Sequence, residues 1–232
     1  PVTGKLWDAE NGEDVFDEIN LVEPGFNSGW KQVMGPLTAN AGISEANLVN
    51  MPGSQYADPA FSWAESRGVT DIEFFNSTAF GPSYENGIFV GDITSGTLFY
   101  FEPNADRTGI NLENDPLLSD LIADSDDEIS AVTSGTGFTG INDIETSPDG
   151  NLYILAYDRE TEGQGSLYRI LPTGEGATST GVPSPTPPDT VIPPVTDEGE
   201  AETEEGAGDE ADGNSDDNND REDQDESSDE NE

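Results

Sequence analysis

The 232-residue chain contains no cysteine and no histidine, and it carries only two lysines, Lys5 and Lys31. The first absence excludes disulfides and thiolate chemistry, and the two together exclude zinc sites of the usual structural kind. Without an imidazole, acid-base chemistry within these residues falls to carboxylates, or to groups supplied from outside them. No run of 18 apolar residues occurs, so the sequence offers no membrane-spanning helix.

What is present in excess is negative charge. Fifty Asp and Glu residues stand against seven Lys and Arg, a formal charge of −43. Of the 50 acids, 21 lie from Glu175 onward beside a single base, Arg221, which leaves 29 acids and six bases before that point. The portion able to fold is therefore acidic in its own right. Such a field repels nucleic acid and anionic membranes, attracts cations and favours solubility in concentrated salt. It suits a saline habitat or an acidic extracellular protein. The chain opens at Pro1, on what reads as a strand edge, and is expected to be a fragment whose targeting segment precedes it.

Organisation changes once, near Leu171. Residues 1–171 alternate short β-branched and aromatic runs with Gly, Asn, Asp and Pro turns, the pattern of an all-β domain. Residues 172–196 form a linker whose TSTGVPSPTPPDTVIPPVT run is rich in proline and threonine and reads as an extended spacer. Residues 197–232 are almost wholly Asp, Glu, Asn, Ser and Gly, too polar to offset their ordering entropy by burial, and a disordered acidic tail is expected. The tail reads either as a stalk or cation-attracting brush, or as a solvating terminus; its partner is unknown.

An internal repeat sets the architecture. GVTDIEFFNS begins at Gly68 and GINDIETSPDG at Gly140, 72 residues later, with the same Gly-apolar-polar-Asp-Ile-Glu order. NGIFVGD then parallels GNLYILAYD, and GTLFYFEP parallels GSLYRILP. Leu6-Trp7 followed by Asp17 to Val22 reads as an earlier copy. Units of this kind leave strand faces bare unless copies pack side by side, which is the logic of a β-propeller. The spacing exceeds an ordinary blade, so insertions are expected at about residues 32–60 and 107–137. Within the second, PLLSDLIAD, residues 116–124, is expected to form a short helix. The chain then holds a partial β-propeller, about half of a six-bladed ring of antiparallel four-stranded blades.

Between two strand-like runs lies an oxygen-rich turn: Asp8, Glu10, Asn11, Glu13, Asp14, Asp17 and Glu18, with Asn20 just behind. Calcium takes six to eight oxygen ligands, so this composition could supply much of one coordination shell.

The whole run GKLWDAENGEDVFDEINLVEPGFNSGW resembles the glucose/sorbosone dehydrogenases, six-bladed propellers, and GIFVGDITSGTLFYFEP and DIETSPDGNLYIL follow in matching order. The resemblance covers about residues 1–171 and corresponds to the C-terminal half of that ring. It implies oxidation of a sugar or polyol hydroxyl, a bound redox cofactor, pyrroloquinoline quinone (PQQ) in characterised members, calcium, and a secreted or cell-surface location. By the same resemblance Asn11 and its neighbour Gly12 line the cofactor site, Asp17 lies beside the reaction centre, where it would orient or tune a base absent from this chain, and Glu18 matches a calcium ligand. The chain departs from the quinone-binding pattern at Thr94, where the family carries a lysine, and at Gly140 and Asn142, where it carries arginines. Losing these cations weakens a site for a polyanion. A non-catalytic, calcium-stabilised extracellular propeller that binds carbohydrate or protein is the alternative expectation.

Three further sets have two readings each. Asp71, Glu73, Asp143 and Glu145 recur in the repeat and would either face the central channel or hydrogen-bond to neighbouring blades. Trp7, Trp30 and Trp63 would stack on a sugar or fill the core. Asn76-Ser77-Thr78 fits the glycosylation acceptor pattern.

Overall fold

The computed structural model describes residues 3–112, 115–158, 161 and 164–172. The linker from residue 173 and the acidic tail lie outside the described residues. Three sheets carry the fold. The first joins β1 (Leu6–Glu10), β2 (Val15–Val22), β5 (Phe61–Glu65) and β9 (Ile122–Ala123) in that order. The second runs from β6 (Val69–Phe74) through β7 (Ile88–Asp92) and β8 (Leu98–Phe101) to β10 (Thr133–Gly135). The third is β11 (Ile141–Thr146), β12 (Leu152–Tyr157) and β13 (Gly165–Ile170). A small parallel pair, β3 (Phe26–Asn27) with β4 (Gln55–Tyr56), lies in the first insertion.

The innermost strands β1, β6 and β11 are neighbours, so the sheets stack as successive blades of a partial β-propeller. The repeat holds to the level of register. Val69 pairs with Asp92 and Asp71 with Gly91 across a bulge. Ile141 pairs with Ala156 and Asp143 with Leu155 across a bulge at the same place. Alternation along each strand then builds two cores. Trp7, Ile19, Phe61, Trp63, Val90, Phe99 and Phe101 fill the space between the first and second sheets. Phe75, Phe89, Leu98, Ile141, Ile144, Leu152 and Ile154 fill that between the second and third. The first core is built on aromatic contacts, with Trp63 4.9 Å from Phe99 and Phe61 4.8 Å from Phe101 between ring centroids. Trp7 and Trp63 are therefore core residues, while Trp30 is 53 % exposed.

Blades depart from the simple expectation in two ways. Among the described residues the third sheet has three strands, and β9 joins the first sheet in parallel with β5. That pairing also corrects the helix expected at residues 116–124. Leu121 adopts φ 63°, outside the helical region. Ile122 and Ala123 then pair with Ser62 and Trp63. The helix, α1 (Asp126–Val132), starts later, where Ser125 and Glu128 form a reciprocal capping box. Edge pairing and a cap together outcompete the apolar spacing of the PLLSDLIAD run.

Candidate functional site

The β1–β2 hairpin carries the residues singled out by sequence. Its register pairs Asp8 with Asn20 and Glu10 with Glu18, leaving residues 11–14 as the connecting turn. Asn11 Nδ2 donates to the Val69 carbonyl at 3.0 Å, which ties the turn to the start of β6 in the next blade. Gly12 donates its N–H to Asp17 Oδ1 at 3.0 Å. A Cβ at Gly12 would collide with the carbonyls of Val15 and Phe16, so the turn closes only around glycine.

Asp17 is fully buried. Besides Gly12, its carboxylate accepts from Ser66 Oγ at 2.9 Å, from the N–H groups of Arg67 and Gly68 at 2.6 Å each, and from Val69 N–H at 3.4 Å. Five donors offset the cost of burying a charge. Four of the five donors come from residues 49 to 52 positions further along the chain, and no local signal announces them. Asp17 thus clasps the β5–β6 turn to the hairpin that presents Asn11.

Glu18 lies on the other face of β2 and is 2 % exposed. Gly35 donates its N–H to Glu18 Oε1 at 2.5 Å, and Asn20 Nδ2 donates to Oε2 at 3.3 Å. Gly35 has φ 73°, and a Cβ there would strike the Phe16 ring, so this donor position also requires glycine. Burial pushes the Glu18 carboxyl up to about 7, against hydrogen bonds that pull it down and with Glu10 and Asp17 adding repulsion. Glu10, directly across the ribbon, is raised by burial as well and accepts from Ser28 Oγ at 2.9 Å. The Asn20 Oδ1 atom is buried with no hydrogen-bond partner.

Glu10, Glu18 and Asn20 therefore share one face of the ribbon, with two carboxylates directly opposed and one buried amide oxygen unsatisfied. That is the donor set a hard cation compensates. Among the described residues no group of three or more Asp, Glu, His or Cys gathers as a metal cluster, so amide, carbonyl or water oxygens would complete any shell. Gly35 and Ser28 were not legible as members of this cluster. Asn20 was, two residues from Glu18 on a strand of period two.

The remaining acidic pairs divide. Asp71 Oδ2 accepts from Ile144 N–H at 2.7 Å and Glu73 Oε1 from Thr146 N–H at 2.9 Å. Both carboxyls are raised by burial. Asp71 and Glu73 thus take the reading of blade-to-blade hydrogen bonding, while their repeat mates Asp143 and Glu145 are exposed. Of the positions where quinone binders carry cations, Thr94 donates its N–H to the Arg67 carbonyl at 3.3 Å. Gly140 is buried, with the carbonyls of Ile93 and Tyr157 2.8 and 2.9 Å from where its Cβ would stand. A separate groove of about 710 Å³, lined by Phe26, Gln55, Tyr56 and Asp58, lies at the opposite end of the first sheet.

Successive β-meanders packed inner strand against inner strand define the chain as a segment of a β-propeller. The model of the glucose/sorbosone dehydrogenase family matches residues 1–169, and the chain belongs to that family. It is 28 % identical over 173 residues to the aldose sugar dehydrogenase YliI of Escherichia coli (strain K12), covering 74 % of this chain and 40 % of that protein. An uncharacterised protein of Synechocystis is 24 % identical over 170 residues, covering 73 % of this chain and 35 % of that protein. Among solved structures, a glucose dehydrogenase crystal structure superposes with a TM-score of 0.50 at 24 % identity, over 75 % of this chain and 43 % of that one, and supports the fold. The chain thus spans well under half the length of these relatives. Among the described residues no helix is long and apolar enough to cross a membrane.

Proposed function

We propose that this chain supplies part of the site of a propeller that oxidises a hydroxyl of a sugar or polyol, with the electrons passed to a bound redox cofactor, and that it works outside the cell or at its surface. The observation that carries this reading is the clasp at Asp17, which fixes Asn11 and Gly12 at one end of the inner strands. In a dehydrogenation the substrate hydroxyl loses its proton as hydride leaves carbon, so a base must stand within hydrogen-bond reach. Histidine is absent from this sequence and the Asp17 carboxylate is already occupied by five donors. The base therefore belongs to the rest of the ring, and Asp17 acts as a positioning residue for the turn.

Calcium fits the residues present. Glu18 and the unsatisfied Asn20 Oδ1 would hold it, with Glu10 across the ribbon, and its role there is to neutralise buried carboxylates and fix the hairpin. PQQ fits poorly. Its carboxylates call for cations, Thr94 and Asn142 are neutral, and the closed surroundings of Gly140 admit no longer side chain. The same neutral positions favour the second reading, a calcium-stabilised propeller that binds carbohydrate or protein without chemistry.

The test is an assay of the complete polypeptide with calcium, PQQ, a panel of aldoses and an artificial electron acceptor, with sugar binding followed in parallel. Turnover lost on Asn11→Ala is expected. Binding without turnover would leave the non-catalytic reading standing, and neither would overturn both.

A further inference from the structure

The second sheet presents a feature that neither sugar oxidation nor calcium uses. Asn76-Ser77-Thr78 is the sole Asn-x-Ser/Thr triplet in the chain. It falls two residues beyond the end of β6, in the irregular connection to β7, and both Asn76 and Thr78 are exposed. Ser77, the middle residue, is turned inward: its hydroxyl accepts from Ala79 N–H at 3.0 Å, and a Cβ on Gly150 of the third sheet would stand 2.7 Å from it. No hydrogen bond among the described residues engages the Asn76 amide, whereas Asn11, Asn20, Asn27, Asn40 and Asn47 all use theirs. Acceptor asparagines need this combination of an accessible amide, a hydroxyl two residues on and a backbone free of sheet pairing.

Position adds a functional argument. β6 starts at Val69, whose carbonyl receives Asn11, and runs away from the hairpin. At about 3.3 Å per residue, Asn76 lies roughly 20 Å from that end. A large polar group there would leave the Asn11 and Asp17 end open. Beneath it is a shallow groove lined by Glu73, Phe74, Thr146, Ser147, Pro148 and Gly150, between the ends of the second and third sheets.

We propose that Asn76 is an N-glycosylation site, a reading that rests on the export proposed above. The donor would be an oligosaccharide linked through phosphate to a polyprenyl lipid. A bond forms between Asn76 Nδ2 and the anomeric carbon, the anomeric carbon–oxygen bond to phosphate breaks, and the displaced amide proton leaves with the lipid phosphate.

The full chain, fused to an export signal, would be produced in a glycosylating halophilic host beside a host glycoprotein as control. Trypsin cleavage after Arg67 and Arg107 isolates residues 68–107 for mass spectrometry. Glycan mass on that peptide is expected, with complete loss in Asn76→Gln and Thr78→Ala and retention in Ser77→Ala and Thr78→Ser. An unmodified peptide from exported protein, while the control is modified, overturns the proposal. Because the fused signal secures export, the native location is measured separately by fractionating cells that make the complete protein, and its failure is distinguishable from failure of the acceptor site.

Discussion

The outward faces of β6 and β11 carry the same Asp-Ile-Glu sequence in the same register and meet opposite fates. On β6, Asp71 and Glu73 receive the free-edge N–H groups of Ile144 and Thr146 from the next inner strand. On β11, Asp143 and Glu145 are exposed, and Leu155, Tyr157 and Leu167 beside them are 45 %, 40 % and 67 % exposed. Identical local sequence thus serves as a joint in one place and an unmet surface in the other. What separates them is the presence of an inner strand alongside, because an unpaired strand edge needs acceptors and a carboxylate two residues from another supplies them at the strand repeat.

Removing a joint altogether should have the largest effect. Asp17→Ala leaves the half-buried N–H groups of Gly12, Arg67 and Gly68 without their charged acceptor, and a loss of about 3–5 kcal/mol is expected in denaturant unfolding. A loss below about 1 kcal/mol would show that the first two blades are held by apolar packing alone.

Next is the buried carboxylate that lacks a full set of partners. Glu18 has a folded-state pKa of about 7, above its ordinary value of 4.5. Its contribution is fully favourable below about pH 4.5 and is lost as pH rises toward 7, a cost of roughly 3 kcal/mol at neutral pH without a cation. Glu18→Gln should flatten that part of the stability–pH curve in chelator. Calcium should raise the Tm of the complete protein, and Glu18→Ala should abolish the rise. A Tm indifferent to calcium would remove the metal from the account.

The repeat itself gives the sharpest contrast. Asp71→Ala with Glu73→Ala is expected to cost about 1–3 kcal/mol, since two half-buried N–H groups lose charged acceptors. The matched pair Asp143→Ala with Glu145→Ala should lie within about 0.5 kcal/mol of the parent, as surface changes do. Equal losses for the two pairs would mean that the outward face of β11 is already engaged in solution.

Much of this fold was readable because the repeat is regular. The Gly-x-x-Asp-Ile-Glu order located both inner strands, and the bulge falls at the same point in each. The insertion at residues 107–137 was readable as an insertion but not in its contents. There the capping pair Ser125 and Glu128 is the local helix signal, and it stands just beyond the apolar PLLSDLIAD run. The parallel pairing of Ile122 and Ala123 with β5 had no local signal at all, since an edge strand of two residues has no period. At the hairpin, sequence pointed to Asn11, Asp17 and Glu18 but not to what they touch. Four of the five partners of Asp17 are backbone N–H groups, which every residue but proline owns, and Gly35 reaches Glu18 across 17 residues.

The strand β9 has a consequence for how such a chain can be inherited. Its residues lie in sequence after β8 of the second blade, yet it forms the outer edge of the first, before the chain returns through α1 to complete the second with β10. Blade borders in space and repeat borders in sequence are therefore out of phase. Deleting the 72-residue sequence unit that carries β9 would strip an edge from the blade before it, so gene rearrangement in this part of the ring cannot follow the sequence repeat without remaking a blade border.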